Sequence, residues 1–115
     1  MFRYFTLDEF ACKETGENHI QPQFVTALDL LREKCGFPFV ITSGYRSPDH
    51  SLEKKKDHPG MHAQGIAADI QVTNGLQRYR LVEKAIEQGF SGIGVAQTFV
   101  HVDRRDGPTV MWTYS

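Results

Sequence analysis

Apolar residues recur at helical spacing in the first third of the chain and alternate with polar ones through most of the rest. Phe24, Leu28 and Leu31 lie three and four residues apart, Pro22 suits a first helical turn, and Gly36 followed by Pro38 supplies a stop. A helix is therefore predicted from Pro22 to Cys35. Upstream, Thr6-Leu7-Asp8-Glu9 reads as a capping box opening a short helix with Leu7 and Phe10 inward, ended by Thr15-Gly16-Glu17-Asn18. A third helix is predicted from Leu76 to Gln88, with Tyr79, Val82 and Ile86 on its inner side and Gly89 at its end.

Between and after the helices the period changes to two. Phe39-Val40-Ile41-Thr42-Ser43 is short, apolar and β-branched, hence a strand. In Ile66 to Val72 the larger apolar residues Ile66, Ile70 and Val72 share one face with Ala68, while Ala67, Asp69 and Gln71 share the other. Gly92 to Ala96 and Phe99 to Asp103 form a hairpin across Gln97-Thr98, placing Phe99, His101 and Asp103 on one face. Val110 to Tyr114 is a last strand whose aromatics are expected to close the core. The order of elements predicts an α+β domain, with a mainly antiparallel sheet and the helices packed on one side. Gly44 to His58 is a long polar loop interrupted by Pro48, and loops of that length are commonly functional. Its Glu53-Lys54-Lys55-Lys56-Asp57 run reads as a solvated face, although the segment Asp49 to Pro59 is expected to border a cleft.

With 115 residues the chain makes one domain, 1–115, able to bury about two thirds of its unfolded surface without a metal staple. A formal net charge of -1 points to neither a nucleic-acid nor a membrane partner. The start, Met1-Phe2-Arg3-Tyr4-Phe5-Thr6, lacks the apolar run of a secretory signal, so synthesis in the cytoplasm is expected, with release depending on something else. Cys12 and Cys35 are too few for a disulfide framework and read as reduced, partly buried thiols.

The chemistry concentrates in His62-Ala63-Gln64-Gly65-Ile66-Ala67-Ala68-Asp69 and Phe99-Val100-His101-Val102-Asp103. Asp69 and His101 each sit mid-strand among apolar neighbours, where an ionisable side chain is costly unless paired or metal-bound. A zinc ion between His62, Asp69 and His101 would compensate both. Three such ligands leave a fourth tetrahedral position open, the mark of a catalytic zinc site. His19, His50 and His58 stand in polar contexts and are read as solvated, with no ligand role.

Ser43-Gly44-Tyr45-Arg46-Ser47-Pro48, then His62-x-x-Gly65-x-Ala67-x-Asp69, then Phe99-Val100-His101-Val102-Asp103 resemble, in that order, the zinc D-alanyl-D-alanine carboxypeptidase family. That family includes phage peptidoglycan endopeptidases and shares its fold with the hedgehog signalling domain. The resemblance implies one zinc ion held by His62, Asp69 and His101. It also implies that Arg46 reaches the substrate's carbonyl or carboxylate, a task suited to a permanently charged fork of donors. Ser43 and Tyr45 are candidates for substrate hydrogen bonds or for shaping the turn.

Two departures from the family pattern bear on mechanism. Many relatives carry an acidic residue three positions before the last zinc histidine, where this chain has Thr98, and many have Ser where it has Gly60. Asp103, as in a phage and bacterial subgroup, is then the nearest carboxylate. It is read as the catalytic general base, the alternative being a residue that orients a ligand histidine or pairs with Arg104 or Arg105. The expected function is a monomeric, phage- or prophage-encoded zinc metallopeptidase cutting peptidoglycan stem or cross-bridge peptides, released by a holin or carried on the virion. The alternative is a zinc-binding structural or wall-binding module of a phage particle, without turnover.

Overall fold

The backbone N–H of Thr6 donates to Glu9 Oε2 at 2.6 Å, as the capping box predicts. In the computed structural model, which describes residues 2–53 and 60–114, this box opens a single 3-10 turn, Leu7–Phe10, because Ala11 is already extended. Phe10 is fully buried, whereas Leu7, also expected inside, is 41% exposed. His58 and Lys54-Lys55-Lys56-Asp57 lie outside the described residues.

Helix α1, Pro22–Cys35, has its predicted bounds and buries Phe24, Val25, Leu28, Leu31 and Cys35. Helix α2, Gly75–Gln88, starts at Asn74, whose side chain accepts from the Gln77 N–H at 2.8 Å. Its inner face is not the predicted one. Leu81 and Ala85 are fully buried, Val82 is partly buried, and Tyr79 and Ile86 are 69% and 55% exposed. Ala85 carries nothing beyond Cβ, so α2 seats its Leu81–Ala85 stripe against α1 and the sheet, and the bulkier Tyr79 and Ile86 stay outside.

Among the described residues five strands form one sheet: β1 Ile41–Ser43, β2 Ala67–Gln71, β3 Gly92–Val95, β4 Phe99–Asp103 and β5 Val110–Thr113, in spatial order β1-β2-β4-β3-β5. The β1–β2, β2–β4 and β3–β4 pairs are antiparallel, the last as the hairpin predicts, and β3–β5 is parallel. The architecture is α+β with a mixed sheet. One sheet face, with Ala68, Ile70, Ile93, Val100 and Val102, joins the core formed with Leu28, Leu31, Leu81 and Ala85 of the helices.

The other face carries the polar rows. Asp69 pairs with His101, His101 with Gly94, and Gly94 with Trp112, so one line of residues crosses β2, β4, β3 and β5. A second line runs Ala67, Asp103, Gly92 and Val110. The aromatics of β5 therefore do not close the core: Trp112 is half-buried beside the polar row, and Tyr114 is exposed. None of the described helices is long and apolar enough to cross a membrane.

Candidate metal centre

His62 enters from the turn before β2. Gly65 closes that turn at φ +78°, a conformation L side chains rarely adopt, and a Cβ there would collide with the His19 carbonyl. Its own carbonyl accepts from Gln21 N–H at 2.9 Å, tying the turn to the start of α1. On the other side, Gly44 passes so close to Phe10 that a Cβ would lie 2.7 Å from Phe10 backbone atoms. That close approach lets Tyr45 N–H donate to Phe10 O at 2.7 Å and brings Gly44 O to His62 Nδ1 at 2.8 Å. Arg46 N–H in turn donates to His62 O at 3.2 Å, so the two motifs are fastened to each other through the backbone.

His62, Asp69 and His101 converge, with one ligand atom from each lying within 4.8 Å of the others. His62 Nε2 is 3.3 Å and His101 Nδ1 is 3.0 Å from the same atom, Asp69 Oδ1. The far nitrogens decide what the near ones offer. Gly44 O only accepts, so His62 Nδ1 carries a proton, and His101 Nε2 donates to Asp103 Oδ2 at 2.7 Å. In neutral imidazoles the near nitrogens then present lone pairs to a carboxylate oxygen. Three electron-rich atoms facing one another need a cation or a proton between them, and the His-Asp-His donor set suits zinc.

The electrostatics agree with this need for positive charge. Burial pushes the Asp69 carboxyl up, but with protons on the near His101 and His62 nitrogens in place of a metal, the hydrogen bonds these rings donate outweigh burial and hold the group below the usual carboxylate range. Burial pulls His101 down, and its bonds to Asp103 and Asp69 overcome that and raise it.

Asp103 is fully buried. Its Oδ1 accepts from Arg105 N–H at 3.1 Å and Arg105 Nε at 2.9 Å, and its Oδ2 from His101 Nε2 and from Arg105 Nη2 at 2.6 Å. Burial raises its pKa, and these donors outweigh burial and hold it below the ordinary range. The carboxylate fits only because Gly92 stands opposite on β3, where a Cβ would collide with it.

Arg46 is half-buried; its Nη2 donates to Ser43 Oγ at 3.3 Å and its Nη1 lies 3.7 Å from Glu53 Oε2. Glu53 is 6% exposed and also accepts from Gly60 N–H at 3.1 Å, so it is a buried partner of the Arg46 loop and not part of a solvated face. Tyr45 is 5% exposed, packed in the core and edge-on to His19 at 5.3 Å. His19 and His50 pair with Glu17 and Glu14, and neither belongs to the metal cluster. Cys12 and Cys35 are buried and free. Thr98, in the turn between β3 and β4, is exposed.

Sequence reasoning passed over Glu53 and the contribution of β5. The charge run hid the first. A signal for the second was present in Gly92-x-Gly94, since alternate glycines within a strand mark close approach by something else.

A largely buried cluster of two histidines and an aspartate on one sheet face, with an arginine loop fastened to it, has the donor set of a metal site. The chain belongs to the peptidase M15 family, whose model matches residues 3–103. Peptidases of this family are in general zinc enzymes, and the three clustered residues fit that metal. No curated protein matches the chain.

Proposed function

We propose that the protein is a zinc metallopeptidase that hydrolyses peptide bonds of bacterial peptidoglycan, with His62, Asp69 and His101 as the metal ligands. The observation that carries this reading is the convergence of His62 Nε2 and His101 Nδ1 on Asp69 Oδ1 with both far nitrogens tied down. Zinc held there supplies Lewis acidity, making water a nucleophile near neutral pH and polarising a peptide carbonyl. The rest falls to the chain. Arg46, steadied by Ser43 and Glu53, presents its guanidinium to the oxyanion or to a terminal carboxylate of the substrate. Ser43 thus positions Arg46, and Tyr45 shapes the turn from the core side.

Of the two roles open to Asp103, full burial and occupation of both oxygens favour positioning. It orients His101 and is itself locked by Arg105, with no lone pair left for a proton from water. Phage or prophage origin, action as a monomer, and release by a holin or carriage on a virion belong to the same proposal. Support for the phage origin is the Phe99-Val100-His101-Val102-Asp103 form, shared with a phage and bacterial subgroup.

A second reading, a zinc-holding wall-binding or structural module without turnover, draws on Thr98, which is not acidic, and on Asp103, whose carboxylate is fully engaged by His101 and Arg105. Incubation of the zinc-loaded protein with peptidoglycans of several chemotypes, read by mass spectrometry for new amino termini, separates the two. Cleavage that falls about a hundredfold in Arg46→Lys, with zinc content kept, supports the peptidase. No cleavage of any wall by the wild type leaves the second reading.

A further inference from the structure

Trp112 is the only tryptophan of the chain, and β5, which carries it, lies beyond the residues matched by the family model. Register puts it at the end of the row Asp69, His101, Gly94, Trp112. Because Gly94 has no side chain, the indole lies down across β3; a Cβ at Gly94 would sit 2.6 Å from Trp112 Nε1 and 2.8 Å from Tyr114 Cε2. The indole reaches the metal cluster, with its ring centre 5.2 Å from that of His101, and Arg105 stacks on it at 4.8 Å. Tyr114 contacts Phe99 at 5.0 Å and Trp112 at 6.4 Å, yet stays 44% exposed.

The sheet order makes the placement directional. Arg46 follows β1 at one edge, Tyr114 follows β5 at the other, and the cluster on β2, β4 and the turn before β2 lies between them. A peptide held by Arg46 and passing the cluster therefore runs on towards the two aromatics.

We propose that Trp112 and Tyr114 form the substrate-facing wall of the cleft on the side away from Arg46, the surface on which a bound peptide packs. The inference rests on the peptidase reading and adds substrate-contacting residues to it.

The test uses the zinc-loaded full chain and the stem pentapeptide L-alanyl-γ-D-glutamyl-L-lysyl-D-alanyl-D-alanine, with Trp112 emission as the readout. The pentapeptide is expected to shift the emission saturably. Tyr114→Ala is expected to weaken binding, and to raise KM on peptidoglycan, roughly tenfold, with kcat, zinc content and melting temperature close to wild type. Tyr114→Phe, which keeps the ring, is expected to restore binding to within about twofold of wild type. Unchanged affinity in Tyr114→Ala, with emission unmoved by a bound pentapeptide, overturns the wall and leaves the peptidase standing. A wild type that neither binds the pentapeptide nor cuts peptidoglycan overturns both.

Discussion

Asp103 Oδ2 accepts a 2.7 Å hydrogen bond from His101 Nε2, on the side of the imidazole opposite Asp69, while Arg105 grips both oxygens of the same carboxylate. A carboxylate so placed fixes which nitrogen of His101 is free for a metal. Removing the negative charge while keeping the shape tests that role. Asp103→Asn is expected to bind zinc about 10- to 100-fold more weakly, with most of the turnover regained once zinc is saturating. Competition with a chromophoric chelator measures the affinity. Wild-type zinc affinity with turnover still lost at saturation would restore Asp103 as the base.

Gly92 faces Asp103 across β3 and β4, and its missing Cβ is what leaves room for the carboxylate. Gly92→Ala is therefore expected to destabilise the fold by about 1–3 kcal/mol and to weaken zinc binding as Asp103 is displaced. Urea unfolding of the apo and zinc-loaded forms checks both effects. A variant indistinguishable from wild type would show that the pocket tolerates what the geometry forbids.

Helix α2 separates packing from pattern. Leu81→Ala removes a fully buried side chain and is expected to cost about 2–5 kcal/mol, whereas Tyr79→Ala, at a 69% exposed position, should stay within about 0.5 kcal/mol. Equal losses in chemical denaturation would put the helix back on the face its larger residues suggest.

That contrast shows where the sequence was legible. Pro22 and Gly36 bound α1 because backbone chemistry marks both ends, and β4 matched its predicted limits because strict alternation leaves one register. His62, Asp69 and His101 stood out because ionisable groups amid apolar strand residues demand compensation. The face of α2 was hidden because Tyr79, Val82 and Ile86 outweigh Leu81 and Ala85 in bulk, although Leu81 and Ala85 are the pair fully buried against α1 and the sheet. The parallel β3–β5 pairing, and with it the place of Trp112, depends on contacts between segments that no local pattern encodes. Glu53 was unreadable for a similar reason, since its partners Arg46 and Gly60 lie outside its own charge run.

Cys35 gives a pH signature remote from the metal cluster. Burial pushes its thiol from an ordinary value of 9.0 up to about 11, so the folded chain holds this proton more tightly than the unfolded one. The resulting stability is complete below about pH 9 and is lost as pH rises from there towards 11. Urea midpoints of wild type and Cys35→Ala, compared from pH 8 to 11, should converge as pH rises. Parallel profiles would contradict the assignment.

The central claim is that His62, Asp69 and His101 hold one metal ion, and the most direct measurement is zinc bound per chain after dialysis against trace metal. The expected result is one zinc ion per wild-type chain and almost none in His62→Ala, Asp69→Ala or His101→Ala, each still folded by circular dichroism. A wild type that retains no zinc, or any of the three variants retaining a full equivalent, would contradict it.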